Sequence, residues 1–131
     1  MATRKNIHSG APWETRAGYC RAVRVGSHIV VSGTAAVGDN GEVVGEGDAY
    51  AQAKRCIDII AAALREAGAG LEHVVRTRMF VTDIERWPDV ARAHQEAFAD
   101  VMPATSMVEV SRLIDPRMLV EIEADALLED D

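Results

Sequence analysis

Six polar side chains stand at or near the ends of predicted β-strands, where loops of a folded protein commonly present binding groups. They are a phenol, a guanidinium, two hydroxyls and two carboxylates: Tyr19, Arg21, Thr34, Thr105, Glu85 and Glu121. Groups of these types hydrogen-bond or ion-pair with small polar molecules. Taken alone, each of them is more often a solvated or structural residue. Position in the sequence therefore does not establish a chemical role for any of them.

Other kinds of site find little support in the sequence. No pair of histidines has metal-ligand spacing, and His94, on the apolar stripe of a predicted helix, is interpreted as a packing residue. The turn "GDNG" (38–41) starts like a calcium loop, but the later oxygen ligands are missing. Cys20 and Cys56 belong to no recognisable Cys-His arrangement. We therefore expect no metal and no cofactor.

Composition limits the remaining possibilities. A chain of 131 residues with 48% hydrophobic and 27% charged residues is expected to form one folded domain, residues 1–131. The net charge of −7 disfavours nucleic-acid binding, which depends on Lys and Arg neutralising phosphates. Two cysteines without a secretory signal predict free thiols in the cytoplasm. The longest apolar run (59–64) is too short to cross a membrane.

The elements that must position the polar residues follow from periodicity. Strands are predicted at 20–26, 28–37, 73–84, 104–111 and 118–127, with a short extended piece at 42–44 and helices at 49–68 and 88–102. The first helix has Asp48 as its N-cap and Gly68 after its last turn. Pro103 ends the second helix.

This order predicts an α+β fold, a two-layer sandwich in which two helices cover one face of a β-sheet. In the last strand, the set from Val120 to Ala126 at every second position is expected to face the helices. In strand 104–111, Val108 and Val110 are expected to face the helices and Thr105 and Met107 a neighbouring subunit. Because the far face of the sheet is partly apolar, we expect an oligomer with its site between subunits.

Three pieces of the chain resemble one known family in their order and spacing. They are "GYCRAVRVGSHIVVSGT" (18–34), the segment 51–87, and "PATSMVEVSRL…VEIEA" (103–124). Over about residues 17–126 the sequence is similar to the Rid family, the reactive intermediate deaminases, also called YjgF or endoribonuclease L-PSP proteins. The resemblance implies a chorismate-mutase-like fold with a mixed sheet, and a homotrimer with clefts between its subunits.

Typical Rid proteins hydrolyse reactive enamines and imines to keto acids and ammonia without a cofactor. The resemblance implies that Glu121 is the catalytic residue that helps to place water. It implies a small-molecule ligand bound by residues on both sides of the cleft: Tyr19, Arg21, Ser32, Gly33, Thr34, Glu85, Thr105 and Met107. The family arginine that follows Pro-Ala forms a bidentate pair with the substrate carboxylate.

This sequence departs from the family pattern at four of those positions. Thr105 stands in place of the arginine and cannot form the bidentate pair. Arg21 replaces a frequent glutamine, Glu85 a frequent asparagine and Met107 a common cysteine.

Three hypotheses follow. The cleft accepts an enamine, imine or related carbonyl compound that is not a typical 2-imino acid. Alternatively, Arg21 supplies a relocated cation for a 2-iminobutanoate- or 2-iminopropanoate-type deaminase. The third is a binding or regulatory protein without catalysis, with neither nucleic acid nor membrane as its partner.

Overall fold

A computed structural model describes residues 3–129, which form a six-stranded sheet with three α-helices. The strands are β1 (Arg4–Ile7), β2 (Ala22–Val25), β3 (His28–Ala35), β4 (Val74–Val81), β5 (Ala104–Glu109) and β6 (Val120–Leu127). Their order across the sheet is β1-β2-β3-β6-β4-β5. All neighbouring strands are antiparallel except β4 and β5, which are parallel. The predicted mixed sheet is therefore confirmed.

The helices are α1 (Pro12–Ala17), α2 (Ala49–Glu66) and α3 (Trp87–Phe98), with short 3-10 turns at Leu71–His73 and Ile84–Arg86. Asp48 caps α2 as predicted, since its side chain accepts a hydrogen bond from the Ala51 amide at 3.0 Å. Gly68 follows the helix with φ 90°, a conformation that favours glycine. Within residues 3–129, no helix is both long and apolar enough to cross a bilayer.

The hydrophobic core lies between the sheet and the two long helices, which confirms the α+β class. The inward residues of β6 were predicted correctly: Val120, Ile122, Ala124 and Ala126 are each 0% exposed. They meet the apolar stripe of α2, which includes Ile57, Ile60 and Leu64. Burial of these aliphatic side chains is the main favourable term in folding.

The other face of the sheet is open to solvent in the single chain. It carries exposed apolar side chains, Val30 and Val108 among them, at 40% and 47% exposure. It also carries Arg78, which pairs with Glu123 at 3.3 Å and Asp125 at 3.4 Å. A sheet face of this mixed character is typical of surfaces that pack against another subunit.

Several predicted boundaries differ from the structure. Neither β1 nor α1 was predicted, and residues 42–44 do not form a strand: a single bridge joins Val37 and Val43. The helix predicted at 88–102 ends at Phe98, and Met102 adopts a positive φ of 54° before Pro103. The helix thus ends five residues before Pro103, the residue predicted to end it.

The predicted orientation of strand β5 is wrong. Thr105 lies opposite Thr77, and Met107 opposite Met79, and both partners are buried on the helix side of β4. Thr105 and Met107 therefore face the helices, and Val108 lies on the open face. The cause is the register with β4, because side chains of directly paired residues share one face of a sheet.

Candidate active site

A cavity of about 400 Å³ opens beside the bulged end of β3. Four of the predicted site residues line it together, namely Tyr19, Arg21, Gly33 and Glu121. Apolar walls come from α1, with Trp13, and from the loop before β6, with Ile114. A concave, largely apolar cavity with a few convergent polar groups is the usual form of a small-molecule site.

The short helix α1 positions Tyr19. Gly18 ends the helix with φ 79°, and its amide donates to the Glu14 carbonyl at 2.9 Å. The Tyr19 amide donates to the same carbonyl, also at 2.9 Å. The buried Glu14 carboxylate accepts a hydrogen bond from the Ser9 amide at 3.1 Å, which ties the preceding loop to the helix. Tyr19 is thereby held at the cavity, with 38% of the residue exposed.

Arg21 is a buried cation with spare hydrogen-bonding capacity. Only 7% of the residue is exposed, so it is not a solvated strand residue. Its Nη2 donates to the Gly33 carbonyl at 3.0 Å, and its guanidinium lies 5.6 Å from the centre of the Tyr19 ring. Its Nε has no hydrogen-bond partner among residues 3–129, and it forms no ion pair there. Unsatisfied buried donors are rare in proteins and commonly mark a functional group.

A β-bulge brings Gly33 next to Glu121. Val31 pairs with Ala124 but Thr34 pairs with Ile122, so β3 holds one extra residue at this point. A Cβ atom at position 33 would lie only 3.0 Å from the Glu121 Oε2 atom, so any larger residue would require the carboxylate to move.

Two hydroxyls of the same segment brace the bulge. Ser32 donates to the Cys20 carbonyl and Thr34 to the Ser32 carbonyl, both at 2.7 Å. Thr34 is completely buried. Ser32 and Thr34 therefore support the cavity but do not line it.

Glu121 is the carboxyl group of the cavity. Burial raises its pKa above the ordinary glutamate value, the nearby positive charge of Arg21 lowers it, and the charge of Glu123 raises it again. A carboxyl group whose pKa is moved toward neutrality exchanges protons more readily at the pH of the cell. Glu121 is thus suited to general acid–base chemistry on a molecule in the cavity.

Sequence reasoning missed Arg112, which lines the same cavity from the loop after β5. Arg112 is exposed and takes part in no ion pair among residues 3–129. No local motif marks it, because only the path of the loop brings it near Glu121.

The loop that carries Arg112 is fixed farther on by Arg117, whose Nη2 meets Asp115 at 2.9 Å. The hydrogen bonds from Arg117 lower the pKa of Asp115 to about 2. Buried Gln52 donates to the Arg117 carbonyl and accepts from the Leu119 amide, both at 2.8 Å. These contacts hold the start of β6 and so position Glu121.

Three predicted site residues lie elsewhere in the single chain. Glu85 is exposed on the 3-10 turn Ile84–Arg86 and lines none of the cavities described here. Thr105 and Met107 line a separate groove between α3 and β5. Among residues 3–129, no group of three or more His, Cys, Asp or Glu side chains is placed to hold a metal.

Comparison with known proteins identifies the family. The model of the endoribonuclease L-PSP family matches residues 9–128. The crystal structure of Rv2704 from Mycobacterium tuberculosis, a member of the YjgF/YER057c/UK114 family, is 48% identical and superposes with a TM-score of 0.88, covering 96% of this chain and all of that one. The YjgF gene product of E. coli is 32% identical with a TM-score of 0.84, covering 95% and 99%.

An enzyme also appears among the relatives. The 3-aminoacrylate deaminase RutC of Acinetobacter baylyi is 32% identical over 108 residues, which cover 82% of this chain and 85% of the enzyme. The fold, the matched length and these identities agree with the resemblance seen in the sequence. The chain belongs to the endoribonuclease L-PSP family, also known as the Rid or YjgF family.

Proposed function

We propose that this protein hydrolyses a small enamine or imine to a carbonyl compound and ammonia without a cofactor. One observation carries the proposal: Glu121, a carboxyl group whose pKa is raised by burial, shares a cavity with Arg21, a buried guanidinium with an unsatisfied donor. The similarity to an enzyme named 3-aminoacrylate deaminase supports the same class of reaction.

In the proposed reaction, an enamine first becomes an imine by proton transfer from nitrogen to carbon. Water then adds to the C=N carbon, and the nitrogen takes up a proton. Breaking the C–N bond releases ammonia and leaves the carbonyl, so that the net change is C=NH plus H₂O to C=O plus NH₃. The ionised carboxylate of Glu121 takes a proton from the attacking water and then returns it to the departing nitrogen.

Arg21 is proposed to hold the negative charge of the substrate. A 2-imino acid or an aminoacrylate carries a carboxylate, and a guanidinium is well suited to bind one. The buried position of Arg21 excludes water from the pair, which strengthens the attraction. Arg112 adds a second positive charge at the same cavity. This is the relocated-cation hypothesis, favoured because Arg21 is buried at the cavity and its Nε has no hydrogen-bond partner among residues 3–129.

We propose a homotrimer in which the open sheet faces meet. The exposed valines and the Arg78 ion pairs of that face support subunit contact, since an isolated sheet rarely leaves such a surface to solvent. Clefts between subunits would bring the Glu121 cavity of one subunit close to Glu85, Thr105 and Met107 of another. Light scattering during gel filtration tests the assembly, and a monomeric mass would contradict it.

A cytoplasmic location belongs to the proposal because Cys20 and Cys56 are both buried as free thiols. RNA is not proposed as a substrate despite the family name. The net charge of −7 opposes phosphate binding.

The activity test uses two enamines, 2-aminoacrylate and its uncharged methyl ester, each generated in solution, with ammonia release as the readout. We expect faster release from the acid, and a loss of about 100-fold or more in Glu121→Gln. Absence of any rate above that of Glu121→Gln would refute hydrolysis of these enamines. A faster reaction with the ester would favour the second candidate, an uncharged substrate, which is suggested by the neutral Thr105 at the position of the family arginine.

A further inference from the structure

The Glu121 cavity is rich in positive charge, although the whole chain carries a net charge of −7. Two guanidinium groups line it, those of Arg21 and Arg112. Within residues 3–129, Glu121 is the one acidic residue among the lining side chains. Burial raises the pKa of Glu121 and so disfavours its charged form. The cavity is therefore suited to a ligand that carries more than one negative charge.

The two guanidinium groups lie at different depths. Arg21 is 7% exposed, so its positive charge is inside the cavity. Arg112 is exposed to solvent and forms no ion pair with any residue between 3 and 129, so its charge is free at the opening. One ligand with two anionic groups can thus be bound at both ends, the first group inside and the second at the opening.

The backbone on both sides of Arg112 is held in place. Before it, the Val110 amide donates to the Val81 carbonyl at 2.8 Å. After it, the Met118 amide donates to the Asp115 carbonyl at 2.9 Å. A cation on a segment that is already ordered loses less conformational freedom when it binds a ligand. The loop therefore presents Arg112 to the cavity before a ligand arrives.

The size and the walls of the cavity favour a ligand longer than 2-aminoacrylate. A three-carbon compound would leave much of the volume of about 400 Å³ unfilled. The same loop supplies the apolar side chains of Leu113, Ile114 and Met118 to the wall. Apolar walls with a few placed polar groups bind the hydrocarbon part of a ligand and orient its charged ends. Methylene groups between two carboxylates match this arrangement.

We propose that the substrate is a 2-imino dicarboxylic acid and that Arg112 determines this specificity, an inference that rests on the proposed hydrolysis. Arg21 binds the carboxylate next to the imine carbon, and Arg112 binds the distal carboxylate through its N–H donors. For the imine of glutamate, the balanced reaction is 2-iminoglutarate plus water to 2-oxoglutarate plus ammonia. The C=N bond is replaced by C=O, and the proton from water passes through Glu121 to the departing nitrogen.

The test compares two imines that differ in the distal charge alone. An amino-acid oxidase forms them in solution from glutamate and from its 5-methyl ester, and semicarbazide traps the imine that remains. The protein should hydrolyse 2-iminoglutarate with a kcat/KM about fivefold higher than that of the ester, as expected for one charge pair near solvent. Because Arg112 is exposed, this preference should fall below about twofold in 0.5 M NaCl.

Two variants make the test specific for Arg112. Arg112→Gln should remove the preference and leave the rate with the ester unchanged. Arg65→Gln, which removes an exposed arginine of α2 outside the cavity, should keep the preference. Equal rates with the two imines, or an undiminished preference in Arg112→Gln, would overturn the proposal. The hydrolysis itself would still stand in that case, provided that both rates exceed those of Glu121→Gln.

Binding of the product keeps the proposal testable if neither imine is hydrolysed, an outcome that would refute the proposed hydrolysis. Calorimetry with 2-oxoglutarate and its 5-methyl ester measures the contribution of the distal charge without any reaction. The dicarboxylate should bind about fivefold more tightly to wild type and no more tightly than the ester to Arg112→Gln. Equal affinity of wild type for the two compounds would refute the role of Arg112.

Discussion

Replacement of Arg21 by glutamine separates the proposed role of this residue from its structural role. The variant loses the positive charge, together with the hydrogen bond from Nη2 to the Gly33 carbonyl. It also removes the buried Nε donor that has no partner among the described residues. Loss of the hydrogen bond lowers the free energy of unfolding, and removal of the unpartnered donor raises it. The two effects are of similar size, about 1–3 kcal/mol each. The free energy of unfolding should therefore change by less than about 1 kcal/mol.

The effect on catalysis should be much larger. A hydrogen bond to a charged group contributes about 1.5–3 kcal/mol, and this corresponds to about a 10- to 150-fold loss in kcat/KM for 2-aminoacrylate. Arg21→Lys keeps the charge without the planar donor pair. Its kcat/KM should lie between those of wild type and Arg21→Gln. The uncharged methyl ester should react at a similar rate with and without the arginine.

Arg24, on strand β2 just after Arg21, offers a matched control. It faces the helix side and donates to the Ala67 carbonyl at 2.7 Å and to the Gly26 carbonyl at 2.8 Å. Arg24→Gln should lower the stability measured by urea unfolding, by about 1–2 kcal/mol, and leave kcat/KM unchanged. A value of kcat/KM within twofold of wild type in Arg21→Gln would refute the assignment of Arg21 as the substrate cation.

Three further predictions concern the cavity and the helix that supports it. The raised pKa of Glu121 makes its contribution to stability greatest below the pKa of an unfolded glutamate, and that contribution is lost as the pH rises through the folded pKa. The free energy of unfolding of wild type should thus fall, relative to that of Glu121→Gln, as the pH rises from about 4.5 to about 7. The same difference between variant and wild type at both pH values would contradict this. Gly33→Ala should displace the Glu121 carboxylate, because the new Cβ would lie 3.0 Å from Oε2, and should lower activity more than stability. Asp48→Ala should cost about 1 kcal/mol of unfolding free energy by removing the cap of α2, with no change in KM.

The elements with strong periodicity could be predicted from the sequence. Helix α2 shows a long apolar stripe between a capping aspartate and a terminal glycine, and β6 alternates strictly. Strand β1 was missed because three of its four residues are exposed and polar, as befits an edge. Helix α1 has six residues, too few for a periodic signal.

The faces of β5 could not be predicted because both are of mixed character. Thr105 and Met107 turn inward only through their pairing with Thr77 and Met79, which is a long-range contact. The burial of Arg21 and the approach of Arg112 to Glu121 likewise depend on α1 and on the loop before β6. The family resemblance thus supplied candidate residues for the site, and only the fold shows their surroundings.

The reactivity of the two buried cysteines can report how the protein opens. Cys20 is 7% exposed and lies beside the cavity, whereas Cys56 is 0% exposed in the core under β6. Burial raises the pKa of the Cys56 thiol, so it reacts with an alkylating reagent only when the core opens. Labelling of Cys20 before Cys56 would report local motion at the cavity, and simultaneous labelling would report global unfolding. The wild-type chain therefore distinguishes these two kinds of opening without any engineered probe.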